Sequence, residues 1–268
     1  MVDVFTFELI DDGRQSSKGN QLKWKNDRKW YKADYTGYEG LAEYVVSHLL
    51  LHSTLKAEEY VMYDTEQIKY KSQVFDGCVS DDFSGGYSVI TVERLFKTMY
   101  GESLSKNIYS FANVSDRLDY LVKQVERMTG IIGFGIYLSK LFAIDAVFLN
   151  EDRHTHNISI LKGDRGDYKL CPIYDNGAAL MSDTTLDYPM GIDIFAEIDN
   201  VKSKTLCDDF DEQLECAEAV YGNHLKFDFD YNDVIAIMAN DTAYSEETKK
   251  RVVDIIMERR RKYKYLFS

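Results

Sequence analysis

The sequence predicts an α+β chain in two lobes, a strand-rich amino-terminal lobe with one helix and a mainly helical carboxy-terminal lobe. Three observations carry this. Short β-like runs separated by turn signals dominate up to residue 83, helical periodicities with capping residues dominate from residue 84, and a single hairpin pattern interrupts those helices directly after the most apolar stretch of the chain. The expected domains are therefore 1–83 and 84–268.

In the first lobe, strands are expected over Val4 to Ile10, Gln21 to Lys25, Lys29 to Asp34, Glu59 to Tyr63 and Gln73 to Ser80. Turn sequences such as Asp11-Asp12-Gly13, Lys18-Gly19-Asn20 and Asn26-Asp27 divide them. One helix interrupts the set, Tyr38 to Leu51, with Leu41, Ala42, Val45, Val46, Leu49 and Leu50 on an apolar stripe. In the second lobe Thr91 caps a helix over Val92 to Met99, Ser103 one over Leu104 to Ala112, and Ser115 one over Asp116 to Thr129. The apolar segment Ile131 to Phe148 follows. Strands Ile158 to Lys162 and Tyr168 to Ile173 then flank a Gly-Asp-Arg-Gly-Asp turn, and helices close the chain near Asp208 to Tyr221, Asp230 to Met238 and Ser245 to Tyr263.

Bulk composition narrows the function. A net charge of −13 argues against direct nucleic-acid binding, which needs a basic face. The Lys/Arg run at 258–264 reads as the last turns of a helix, where cations complement the dipole. Four cysteines without a Cys-x-x-Cys pair fit thiols in a reducing, cytoplasmic setting rather than a zinc site. The window Ile131 to Leu149 contains Ser139, Lys140 and Asp145, so a buried helix is expected and no membrane span.

The chemistry concentrates in Asn150-Glu151-Asp152-Arg153-His154-Thr155-His156-Asn157 and in Tyr174-Asp175-Asn176-Gly177. An Asp, an Asn five positions on, and a second Asp after a hairpin form the polar set that ATP-dependent phosphoryl transfer uses. Asp152 is the candidate catalytic base. Asn157 and Asp175 are candidate Mg²⁺ ligands, and the hairpin is expected to return Asp175 beside Asn157. A second reading is a metal-dependent hydrolase built on Asp152, His154 and His156, since carboxylate and imidazole at alternate positions suit a transition metal.

Phosphoryl transfer also calls for a strand lysine that grips phosphates and a helix glutamate that orients it. Lys32 and Glu43 are the best pair, with Lys25, Lys29 and Glu39 as competitors. The phosphate-covering loop should be Asp12 to Asn20, with Ser16, Ser17 and Gly19 facing the nucleotide. The adenine-contacting hinge should fall around Cys78 to Phe83, where backbone groups of Val79 and Asp81 can pair with the base, with Ile90 to Glu93 as the fallback. ATP and Mg²⁺ are the expected cofactors. Together these parts describe a two-lobed protein-kinase-like fold.

Leu141 to Asn157 resembles the catalytic segment of HipA-like serine/threonine kinases, and Cys171-Pro172-Ile173-Tyr174-Asp175-Asn176-Gly177 resembles their metal-binding segment. The layout is that of the short, self-contained CtkA-type form, with Glu43-Tyr44-Val45 similar to its early helix. The resemblance runs through most of the chain in order, and its specific part is residues 141–180. It implies Asp152 as base, Asn157 and Asp175 as metal ligands, and Lys32 with Glu43 at the phosphates. It implies a protein substrate with a Ser or Thr acceptor, and autophosphorylation at Ser16 or Ser17. A small-molecule or lipid kinase stays open as the alternative acceptor class. The chain lacks the additional amino-terminal domain used for antitoxin contact in full-length HipA, which argues against a HipB-like DNA-binding partner and leaves an antitoxin partner open.

Overall fold

A computed structural model describes residues 1–10 and 21–268. In chain order the strands are β1 (Val2–Val4), β2 (Lys23–Asn26), β3 (Lys29–Ala33), β4 (Asp64–Tyr70), β5 (Gln73–Asp81), β6 (Ser88–Thr91), β7 (Ser159–Lys162) and β8 (Tyr168–Leu170). The helices are α1 (Glu39–Leu49), α2 (Val92–Tyr100), α3 (Leu104–Ile108), α4 (Val114–Thr129), α5 (Phe134–Phe148), α6 (Ile194–Glu197), α7 (Phe210–Tyr221), α8 (Tyr231–Asn240) and α9 (Glu246–Lys262). These elements gather into two compact units. The first comprises Met1–Phe83, Tyr174–Val201 and Lys226–Ser268, and the second comprises Ser84–Ile173 and Lys202–Leu225.

The first unit is built on a five-stranded sheet in the order β1-β4-β5-β3-β2, antiparallel except for the β1–β4 pair. Val4, Trp24, Tyr31, Ile68 and Tyr70 form a buried apolar cluster on it. Helix α1 approaches β5 where two glycines meet: a Cβ on Gly40 would lie 2.5 Å from the Gly77 carbonyl carbon, and one on Gly77 would lie 2.1 Å from the Lys32 carbonyl oxygen. Only bare backbone fits there. The start of α1 is satisfied by carboxylates, because Asp34 Oδ1 accepts from the Gly40 N–H at 2.6 Å and Glu39 accepts from the Thr36 N–H at 2.7 Å.

Two strands of this unit differ from expectation. Val4 to Ile10 gives only the end of β1, because the Glu8 carboxylate accepts from the Phe5 N–H at 2.7 Å and closes a 3-10 turn over Thr6–Glu8. Glu59 closes a similar turn, accepting from the Lys56 N–H at 2.9 Å, so Glu59 to Tyr63 forms no strand. The strand lies one step later, in β4, whose only buried residues are Ile68 and Tyr70.

In the second unit α5 has thirteen of its fifteen residues buried, the pattern of a helix enclosed on every side. Helix α7 packs against it at Gly135, where a Cβ would stand 2.3 Å from the Tyr221 ring, and Ser139 Oγ donates to the Gly222 carbonyl at 2.8 Å. No helix among the described residues is long and apolar enough to cross a membrane. Thr91 and Ser103 accept from the Arg94 and Lys106 N–H groups, as expected of caps, whereas α4 starts two residues early, with Asn113 rather than Ser115 at its cap position. The hairpin β7–β8 forms and gains an unexpected third strand, β6, in the order β6-β7-β8.

Candidate active site

The first unit holds the lysine, its glutamate and one acid. Lys32 lies on β3, buried with Tyr31 and Ala33, and its Nζ donates to Glu43 Oε1 at 2.6 Å and to Asp175 Oδ1 at 2.8 Å. Glu43 uses its other oxygen to accept the Asn176 N–H at 2.8 Å, so one carboxylate ties β3 to the backbone beside Asp175. Asp175 has a φ of 63°, a left-handed conformation that Asp tolerates better than most residues. Burial opposes the charge on Lys32, but Asp175 and Glu43 outweigh it and hold the ammonium well above the ordinary lysine range. The Tyr63 ring lies 5.2 Å from Nζ, and burial pushes the Cys78 thiol well up, so the surroundings of this triad stay neutral.

Two of the three competing residues are engaged elsewhere. Lys25 pairs with Asp82 at 2.7 Å, and Glu39 caps the turn before its own helix. Val79 and Asp81 lie at the end of β5. The ladder with β4 stops at the Asp64–Val79 pair, while Ser80 and Asp81 continue to pair with Trp30 and Lys29 of β3. Past Val79, one edge of this strand's backbone therefore has no ladder partner among the described residues. Ser16, Ser17 and Gly19 lie outside the described residues.

The second unit holds the loop after α5. Asn157 Nδ2 donates to the Asp152 carbonyl at 2.8 Å and to Asp152 Oδ2 at 3.3 Å. That orients the carboxylate and turns Asn157 Oδ1, the oxygen a hard cation takes, the other way. The loop is tightened by the His154 N–H on the Asp152 carbonyl at 2.9 Å and the Asn157 N–H on the His154 carbonyl at 2.7 Å. It is anchored twice to helices. Arg153 Nε donates to both oxygens of Asp145 on α5 at 3.2 Å, and the Thr155 hydroxyl donates to Glu93 on α2 at 2.8 Å. Burial raises the Asp145 carboxyl to about 6 in spite of Arg153. Burial also raises Glu93, but hydrogen bonds from Ser103, Thr155 and the Ser105 N–H more than offset it and leave that carboxyl below its usual range.

His154 is held below its ordinary range by burial, against the pull of Asp152, and its Nε2 stands 3.7 Å from Asp152 Oδ1. Among the described residues no three carboxylate, imidazole or thiol side chains are disposed to hold a metal ion, so Asp152, His154 and His156 form no such set. The hydrolase reading loses its ligand geometry.

One neighbour of Asp152 escaped the sequence reading. Lys204 Nζ lies 3.3 Å from Asp152 Oδ1, brought there by a segment whose Thr205 hydroxyl donates to the Arg153 carbonyl. Nothing in the local pattern around Ser203-Lys204-Thr205 signals this, because the contact spans 52 residues.

No protein-family model and no curated protein sequence matches the chain. Among solved structures it is similar to the proinflammatory kinase CtkA of Helicobacter pylori, with a TM-score of 0.64 and 19% identity over 97% of this chain and 95% of that one. A chain in the HipA, HipB and operator DNA complex of a Shewanella oneidensis MR-1 toxin–antitoxin system aligns with a TM-score of 0.41 and 11% identity, over 95% of this chain and 62% of that one, a similarity too low to carry weight. The expected α+β class is thus borne out, and the protein has the kinase-like fold of CtkA.

Proposed function

We propose that the chain is a Mg-ATP-dependent protein kinase of the HipA-like type, acting on a serine or threonine hydroxyl. The observation that carries this is Lys32, buried and shared between Glu43, eleven residues on, and Asp175, 143 residues away. An ammonium oriented by two carboxylates in a buried site is suited to gripping phosphate oxygens. Asp152, steered by Asn157 and Lys204, supplies a carboxylate for the acceptor hydroxyl.

In the proposed reaction the acceptor oxygen attacks the γ-phosphorus, its proton goes to Asp152, and the bond to the β,γ-bridging oxygen breaks to release ADP. The hard oxygen donors Asn157 and Asp175 suit Mg²⁺, which when bound supplies charge neutralisation on the phosphates. Lys32 holds phosphate oxygens, and Glu43 keeps Lys32 in place while fixing the Asn176 backbone. The open backbone edge after Val79 offers hydrogen-bonding groups to the base.

Asp152→Asn tests the assignment. Phosphate incorporation from labelled ATP should fall to background, while Mg²⁺-dependent thermal stabilisation by ATP persists. Transfer retained in that variant would refute the role of Asp152. Self-phosphorylation at Ser16 or Ser17 belongs to the same proposal, and an intact mass with no added phosphate after incubation with Mg-ATP would count against it. A protein acceptor is part of the same proposal, and transfer to a lipid or small molecule with none to protein would count against it.

A further inference from the structure

A cavity of about 470 Å³ opens in the second unit beside Asp152, lined by Tyr109, Arg117, His154, Lys204, Cys207 and Asp208 among others. Two of its walls, His154 and Lys204, approach the Asp152 Oδ1 atom to 3.7 and 3.3 Å. An acceptor residue next to the phosphorylated hydroxyl has this cavity within reach.

Its charges do not cancel. Lys204 is matched by Asp152, and Asp208 is matched by Lys202 at 2.9 Å. Among the described residues Arg117 has only neutral partners. Its Nε donates to the Phe111 carbonyl at 2.9 Å, its Nη1 donates to the Leu206 carbonyl at 2.7 Å, and the guanidinium lies 4.9 Å from the Tyr109 ring. Those contacts lock the fork and leave Nη2 uncommitted. Arg117 also sits in the first turn of α4, where the helix dipole disfavours a cation. A fixed, uncompensated guanidinium in a cavity wall is a carboxylate receptor. The surrounding chain carries a net charge of −13, so this local excess of positive charge stands against the general field.

We infer that this cavity is an acceptor subsite that takes a carboxylate side chain flanking the accepted hydroxyl, and that Arg117 sets the preference. The inference rests on the kinase reading and adds a substrate class to it, serine- or threonine-containing segments with a nearby Asp or Glu. The neighbouring Ser203 hydroxyl, which donates to the Cys207 carbonyl, and the Tyr109 hydroxyl, which donates to the Lys204 carbonyl, keep the wall rigid.

The test uses the full chain with Mg-ATP and a peptide library in which Glu, Ala or Lys is scanned through the positions flanking a fixed serine. At one flanking position kcat/KM should favour Glu over Ala by about tenfold, the size of a charge-assisted hydrogen bond. In Arg117→Met that ratio should fall to near one, and in Arg117→Glu the preference should shift to Lys. Arg117→Lys, which keeps the charge without the two carbonyl tethers, should retain the Glu preference and separates charge from local folding. No Glu preference at any position in the wild type, or an unchanged ratio in Arg117→Met, overturns the inference. Fluorescence anisotropy of the labelled Glu and Ala peptides without ATP separates the two levels. Arg117-dependent binding of the Glu peptide with no transfer to any peptide would uphold the subsite and sink the kinase reading. Equal or absent binding of the two peptides would sink the subsite.

Discussion

Replacing Lys32 by methionine removes the one ammonium that Glu43 and Asp175 share. Glu43 is 1% exposed and keeps its hydrogen bond from the Asn176 N–H, and Asp175 loses a 2.8 Å ion pair. Breaking a buried pair by deleting one member costs about 3–5 kcal/mol, because the remaining charge is uncompensated. Glu43→Gln is milder, about 1–2 kcal/mol, since the amide oxygen still accepts from Asn176 and Asp175 still pairs with Lys32. The double variant should therefore be less destabilised than the sum, with a coupling of about 1.5–3 kcal/mol. Urea denaturation followed by tryptophan fluorescence suits the measurement, because both tryptophans, Trp24 and Trp30, are in the unit that contains the triad. The pH dependence has a definite sign. Lys32 is held above its ordinary range, so its stabilisation is complete below the ordinary lysine value and is lost only as pH rises through the raised one. The wild-type contribution should be flat near neutrality. A cost below about 1 kcal/mol at neutral pH, or strictly additive single variants, would refute the reasoning.

Asp34 supplies a second pH test. Burial, with Glu39 adding to it, raises its carboxyl to about 8 against the hydrogen bonds from Tyr244 and Gly40. The folded chain thus keeps a proton that the unfolded chain releases, and stability should fall as pH climbs from the ordinary carboxylate value towards 8, by at most about 1.4 kcal/mol per unit. Asp34→Asn should flatten that slope and exceed the wild type in stability at alkaline pH; parallel stability curves would disprove it. Lys204→Met should lower phosphoryl transfer by roughly ten- to a hundredfold through misplacement of Asp152. Its unfolding free energy should move by less than about 1 kcal/mol, because Lys204 is partly exposed and such pairs are weak. Lys204→Arg should recover part of the transfer, and full activity in Lys204→Met would remove Lys204 from the mechanism.

What the sequence made legible was local. Thr91 and Ser103 announce their helices because a cap acts within three residues, and α5 announces itself by fifteen residues with hardly a polar face. The Asp152-to-Asn157 spacing was readable because Asn157 Nδ2 bonds Asp152 within one loop. Strand β4 was not, since Ile68 and Tyr70 are its only buried residues and the sheet pairs it through backbone rather than apolar pattern. The choice between Glu39 and Glu43 was equally closed to pattern reading. Both stand on one helix, and only the fold shows that Glu39 is consumed by the Thr36 and Gly37 N–H groups. Lys204 reaches Asp152, and Arg117 comes to line one cavity with Lys204, by tertiary packing alone, and no periodicity encodes that.

The burial of α1 has a consequence for control. Nine of its eleven residues are buried, Tyr44 bonds the Ile237 carbonyl, Ser47 bonds the Tyr63 N–H, and Gly40 meets Gly77 backbone to backbone. A switch that swung this helix outward to part Glu43 from Lys32 would have to open the centre of its own unit, a motion on the scale of local unfolding. The helix is a fixed wall rather than a lever. On and off states of such a molecule have to be set by what enters its site or by chemical change on a surface segment, leaving the Lys32–Glu43 pair assembled in both.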